Sequence, residues 1–118
     1  MFWGKVERGK QRGRALGYPT VNVRLHRRIP EGVYISETKV AGKVYQSVSF
    51  VGAAKTFGEK DVLGETYIFD FQKDLYGQWI SVRLLKKIRG NKKFGSKEEL
   101  IKYISKDVAE AREYFRAR

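Results

Sequence analysis

Residues 33–40 and 44–51 are two eight-residue runs dense in valine, isoleucine, tyrosine, threonine and phenylalanine, joined by Ala41-Gly42-Lys43. β-Branched and aromatic side chains suit a pleated, half-buried surface, and a short glycine-containing link between two such runs makes a β-hairpin. That hairpin commits the middle of the chain to antiparallel sheet, and the flanking segments extend it. Residues 2–6 begin like a short strand, residues 21–25 alternate apolar and polar, and residues 65–71 and 78–85 read as further strands. Pro30-Glu31-Gly32 and Asp74-Leu75-Tyr76-Gly77 are turn signals, and residues 53–64 read as a loop. The end of the chain changes period. Ser96 followed by Glu99 is a capping box, and Leu100, Ile101, Ile104, Val108, Ala111 and Phe115 then follow helical spacing for about four to five turns. Five or six short antiparallel strands followed by one amphipathic helix predict a mainly β fold. A closed barrel hides its strand edges, and the helix would pack its apolar stripe on the barrel wall.

A length of 118 residues suits one domain, here expected to span residues 1–118. There is no cysteine, which excludes disulfides, thiolate zinc sites and cysteine nucleophiles. His26 is the only histidine and is flanked by Arg27 and Arg28, so it reads as a loop residue and not as half of a dyad. No apolar run is long enough for a signal core or a bilayer span, so a cytoplasmic protein without membrane contact is expected. The net charge of +12 is unevenly spread. Within residues 1–30, Glu7 stands alone against Lys5, Arg8, Lys10, Arg12, Arg14, Arg24, Arg27 and Arg28, and a second basic run covers residues 83–93. Such a balance fits an anionic partner, either nucleic acid or a phosphorylated small molecule, or simply a solubilising surface.

Chemistry concentrates at Gly17-Tyr18-Pro19-Thr20-Val21-Asn22. Glycine and proline make a stiff corner, and on an extended segment residues two apart share a face. Thr20 and Asn22 would thus present two oxygen ligands side by side. Oxygen ligands suit Mg²⁺, which completes its shell with waters and substrate phosphates. Upstream, residues 9–14 form a glycine-punctuated basic stretch able to wrap phosphates. Glu65 follows Gly64 and would sit at a barrel rim, either as a general base or as an ordinary strand-end glutamate, with Asp61, Asp70 and Asp74 as rivals. Tyr76 and Trp79 bracket Gly77 and read either as stacking platforms or as plugs of the barrel end. Residues 89–94 join the last strand to the helix and read either as a basic loop that closes over phosphates or as a solvated connector. No Walker-type loop or Rossmann fingerprint occurs, so a nucleotide site here needs another architecture.

Taken in order, these segments resemble the ATP-dependent riboflavin kinase family over nearly the whole chain. Gly17 to Asn22 is similar to that family's Gly-Phe-Pro-Thr-Ala-Asn signature, and Gly32-Val33-Tyr34 to its Gly-Val-Tyr strand start. Residues 51–58 resemble its Ile-Gly-x-x-Pro-Thr-Phe loop. Glu65 with residues 68–71, Asp74 to Gly77, and Arg89, Phe94, Ser96, Glu99 and Leu100 match its later elements. The chain departs from the pattern in places: Val21 replaces alanine, Lys55 replaces proline, and Phe50 stands where asparagine is common. Lys10-Gln11 also replaces a usual Asp-Gly pair.

The resemblance implies a six-stranded Greek-key β-barrel with a C-terminal α-helix packed on it. It implies transfer of the γ-phosphate of ATP to the ribityl 5′-hydroxyl of riboflavin, giving FMN and ADP. Thr20 and Asn22 would hold Mg²⁺ and the nucleotide phosphates, and Glu65 would be the general base. Gly9, Gly13, Arg14, Gly17 and Pro19 would line the phosphates, while Leu75, Tyr76 and Gly77 would lie near the adenine. Arg89, Lys93 and Phe94 would close over the flavin. In many bacteria this kinase follows an adenylyltransferase domain; nothing precedes it here, so FMN and not FAD is the expected product. A monomer with small-molecule partners is expected, and a nucleic-acid partner is not. Two other readings stand beside this one: a basic barrel that binds single-stranded nucleic acid through exposed aromatics, and a flavin- or nucleotide-binding relative without catalysis.

Overall fold

The computed structural model describes residues 2–7, 20–25, 29–53, 62–71, 73–90 and 95–118. The hairpin forms as its composition predicts, between β3 (Gly32–Val40) and β4 (Lys43–Ala53). Its loop is two residues, Ala41 at φ 50° and Gly42 at φ 84°. Positive φ at both positions is what a type I′ turn demands, because its twist matches that of the flanking strands. Lys43 therefore belongs to β4, and not to the link. Alanine is a poor occupant of the left-handed region, where its Cβ crowds the next carbonyl. Replacing Ala41 with asparagine is expected to stabilise the fold by about 0.5–1 kcal/mol. Urea unfolding should show this as a higher midpoint with an unchanged slope.

Four further strands complete the sheet: β1 (Phe2–Glu7), β2 (Val21–Leu25), β5 (Val62–Ile68) and β6 (Trp79–Arg89). They close into an antiparallel barrel in the order β1-β2-β5-β4-β3-β6. Strands β3, β4 and β5 are a meander, and β6 returns to lie beside β3, which is the Greek-key order. The barrel and Greek-key expectation thus holds.

β5 and β6 depart furthest from their expected bounds. β5 begins at Val62 and stops at Ile68, so Glu65 lies within the strand and not at its start. Gly64 looks like a strand breaker, but it is there for close approach. A Cβ on it would sit 3.0–3.1 Å from the Phe2 ring, tighter than an ordinary contact, so any larger residue would press that ring out of its place in the barrel interior. Asp70, read as a strand residue, lies beyond β5 in a turn with φ 57°. β6 runs on through Arg89 and not merely to Leu85. Its register against β3 shifts twice: Leu84 pairs Ser36 and Lys86 pairs Ile35, then Lys87 pairs Tyr34 and Arg89 pairs Val33. Leu85 and Ile88 are the skipped residues. These bulges break the two-residue period that sequence reading depends on.

The barrel interior holds Phe2, Val6, Val23, Leu25, Tyr34, Val40, Val51, Ile68, Ile80 and Val82. Across β3, β4 and β5 it also carries a hydroxyl chain, Thr38–Ser47–Ser36–Ser49–Thr66, each contact 2.8 Å. All five residues are buried, and every one has a hydroxyl partner, so the chain carries little desolvation penalty. The outer wall is where the helix sits. α1 (Lys97–Arg116) packs Ile104, Val108 and Ala111 on Val33, Ile35, Val48 and Phe69, with Phe50, Leu85 and Ile88 at the margin. Its start is capped as predicted. The Glu99 N–H donates to Ser96 Oγ at 3.1 Å, and Glu99 Oε2 reaches back to accept from the Gly95 N–H at 3.4 Å.

Candidate active site

In an antiparallel sheet, residues directly opposite each other share a face. Glu7 on β1 faces Asn22 on β2, Asn22 faces Glu65 on β5, and Glu65 faces Phe50 on β4. Phe50 faces Val33 on β3, and Val33 faces Arg89 on β6. One row of side chains thus runs from Glu7 to Arg89 across all six strands. It lies on the outer wall, since the residues between its members, such as Val6, Val23 and Thr66, point into the barrel.

Asn22 is only 2% exposed although it belongs to the outer wall. Among the described residues its Oδ1 has no hydrogen-bond partner, and neither has the buried Oγ1 of Thr20, just ahead of β2. A buried polar atom left unpaired costs about 1–3 kcal/mol. Two such oxygens at neighbouring positions make this corner the candidate for a bound ligand. No group of three His, Cys, Asp or Glu side chains that could hold a metal occurs among the described residues. The donor set at this corner is therefore neutral hard oxygen flanked by carboxylates, and it fits a Mg²⁺-type cation that shares its shell with phosphates.

Glu65 stands beside Asn22 in this row, mid-strand and half-buried. Two of its rivals sit in turns. Asp70 is in the turn after β5, 4.0 Å from Arg112, and Asp74 accepts from the Tyr76 N–H at 3.0 Å within its own turn. The turn at Leu75-Tyr76-Gly77 lies against the end of β1: the Gly77 N–H donates to the Val6 carbonyl at 2.9 Å, and the Val6 N–H to the Gln78 carbonyl at 2.8 Å. This brings the turn next to Glu7 and hence to Asn22. Leu75 itself is core, so only its backbone faces outward chemistry. Tyr76 and Trp79 are 54% and 66% exposed and are not barrel plugs. Trp3, whose strand pairs with β6, is 59% exposed on the same wall.

Arg89 ends the row, but its head group is taken. Nε donates to Asp107 Oδ1 at 3.0 Å, Nη2 to Asp107 Oδ2 at 2.7 Å and Nη1 to the Gly90 carbonyl at 3.2 Å. The Tyr103 ring lies 5.4 Å from its guanidinium. Arg89 therefore fastens β6 to α1. Phe50 likewise packs with the helix-facing cluster, which explains an apolar residue at that position. Gly9, Gly13, Arg14, Gly17, Pro19, Lys93 and Phe94 lie outside the described residues, as do His26, Lys55 and Asp61.

Sequence reading passed over two residues. Asp107 falls on the apolar stripe between Ile104 and Ala111, and an acid in that stripe signals a buried partner. Glu7 is the lone acid of the first thirty residues, but only strand register shows that it adjoins Asn22.

A closed antiparallel barrel with a buried oxygen pair beside a carboxylate on its outer wall is compatible with a phosphoryl-transfer site. The family described as riboflavin kinase (flavokinase) matches residues 1–115. A bifunctional riboflavin kinase/FMN adenylyltransferase of Bacillus subtilis is 40% identical over 118 residues, covering 95% of this chain and 37% of that enzyme. Riboflavin kinase from Trypanosoma brucei superposes with a TM-score of 0.66 at 25% identity, over 97% of this chain and 78% of that one. A structure described as a macrolide-efflux protein from Streptococcus pneumoniae superposes with a TM-score of 0.85 at 34% identity, over 93% of this chain and 37% of that one. The chain spans less than half the length of the curated relatives it matches. It belongs to the riboflavin kinase family.

Proposed function

We propose that this chain phosphorylates riboflavin on its ribityl 5′-hydroxyl with ATP as donor, giving FMN and ADP. The observation that carries this reading is the pair of buried oxygens of Thr20 and Asn22 that lack a partner among the described residues, with Asn22 in register with Glu65. Thr20 Oγ1 and Asn22 Oδ1 would hold the divalent cation, Mg²⁺ in this reading. When bound, that cation would supply neutralisation of the phosphate charge. Glu65 accepts the 5′-hydroxyl proton as the oxygen forms its bond to the γ-phosphorus and the bond to the β-bridging oxygen breaks. The turn at Leu75 to Gly77 would border the adenine, with the exposed Tyr76 ring placed to lie against a planar ring. Arg89 would act from the flavin side through the helix it anchors, because its own fork is filled by Asp107.

A monomer in the cytoplasm is part of the same reading; no helix among the described residues is long and apolar enough to cross a membrane. The nucleic-acid alternative draws on exposed Trp3 and Trp79, but it gives no role to the buried oxygens or to Glu65. The test is formation of FMN from riboflavin, ATP and Mg²⁺. Folded protein that yields no FMN with any of several nucleoside triphosphates would overturn the proposal and leave the non-catalytic reading.

A further inference from the structure

We infer that the protein takes up a divalent cation before any nucleotide arrives, and that Glu7 makes this possible. The inference rests on the metal role proposed for Thr20 and Asn22 and extends it to a residue outside the family signature.

Asn22 stands between two glutamates. Glu7 is its direct cross-strand partner on β1, and Glu65 its partner on β5. Opposed residues in an antiparallel pair have Cα atoms about 4.5–5.5 Å apart, so both carboxylates can reach the space over the Asn22 amide. That amide is 2% exposed and its oxygen is partnerless among the described residues, so something is to be bound at the centre of this trio. Two neutral oxygens alone hold Mg²⁺ weakly; the ion is usually bound through one or two carboxylates together with substrate phosphates. In the absence of phosphates, a carboxylate must supply the charge.

Glu7 is placed to supply it. Its carboxylate lies 3.4 Å from Arg24, two residues beyond Asn22 on the same wall. Both side chains are about half exposed (49% for Arg24, 44% for Glu7), and ion pairs in such settings are weak. A divalent cation can take the carboxylate from Arg24, which then swings into solvent or towards an incoming phosphate. In this scheme Arg24 occupies Glu7 until metal loads, and metal loading precedes nucleotide.

The test is a titration of the full chain with Mn²⁺ and no nucleotide, following the free-ion signal by electron paramagnetic resonance. Wild-type protein should bind Mn²⁺. Glu7→Gln should weaken that binding about tenfold, the lower end of what losing a supporting group costs a metal site. Arg24→Gln should tighten it, because it releases Glu7 and removes a competing cation. Asn22→Ala should abolish it. Equal affinity in wild type and Glu7→Gln, or no binding by wild type without nucleotide, would overturn the role of Glu7. Asn22→Ala separates the two readings. If it binds Mn²⁺ as wild type does, both with and without a non-hydrolysable ATP analogue, the Thr20–Asn22 metal corner itself is wrong. If it loses binding while Glu7→Gln keeps it, only the present inference fails.

Discussion

Replacing Glu65 with glutamine is expected to lower kcat for riboflavin phosphorylation by about 10²–10⁴-fold, the usual contribution of a positioned general base. Glutamine keeps the size of the side chain and its place in β5 between Asn22 and Phe50. It loses only the ability to accept a proton. Binding of riboflavin, read from flavin fluorescence, should therefore stay within a few-fold of wild type. Phosphoryl transfer depends chiefly on positioning and charge neutralisation, so residual turnover is expected from the metal corner alone. A Glu65→Gln protein with near-normal kcat would remove Glu65 as the base. Asp70 and Asp74 would not replace it, since Asp70 lies beyond β5 beside Arg112 and Asp74 accepts from the Tyr76 N–H in its own turn.

That prediction depends on register, and register is where sequence reading stopped. Composition and alternation were enough for the hairpin, for β2 and for the capped helix, because each obeys one period from end to end. They failed where packing overrode the period. Gly64 reads as a loop residue until the Phe2 ring is seen lying 3.0–3.1 Å from where its Cβ would be. Leu85 and Ile88 are bulged, so β6 loses its alternation just where it turns both side chains under α1. The Thr20–Asn22 corner was legible because its spacing is local. The alignment of Glu7, Asn22 and Glu65 was not, since it joins three strands far apart in the chain. Arg89 shows the same limit from the other side. A basic residue before a basic connector looks like a ligand for phosphate or flavin, and only the fold reveals that Asp107 fills its fork.

Replacing Asp107 with alanine is expected to destabilise the fold by about 3 kcal/mol, the lower end of the range for breaking a buried ion pair. Its side chain is 3% exposed and that of Arg89 21%, so the guanidinium left behind would be poorly solvated. A domain of this size has only about 5–15 kcal/mol in total, which makes this a large fraction. Urea unfolding would register it as a midpoint lowered by roughly 1–3 M at a typical slope for a small protein. The double replacement Arg89→Met with Asp107→Leu should restore most of the loss, because an apolar pair of similar volume avoids the desolvation of both charges. The two variants separate stability from function. If Arg89 serves the flavin side only by holding α1 against β6, the restored double variant should recover riboflavin binding along with its midpoint. If the guanidinium itself meets the substrate, the double variant would be stable and still bind riboflavin poorly. An unchanged midpoint in Asp107→Ala would mean that the apolar stripe of Ile104, Val108 and Ala111 holds the helix without help.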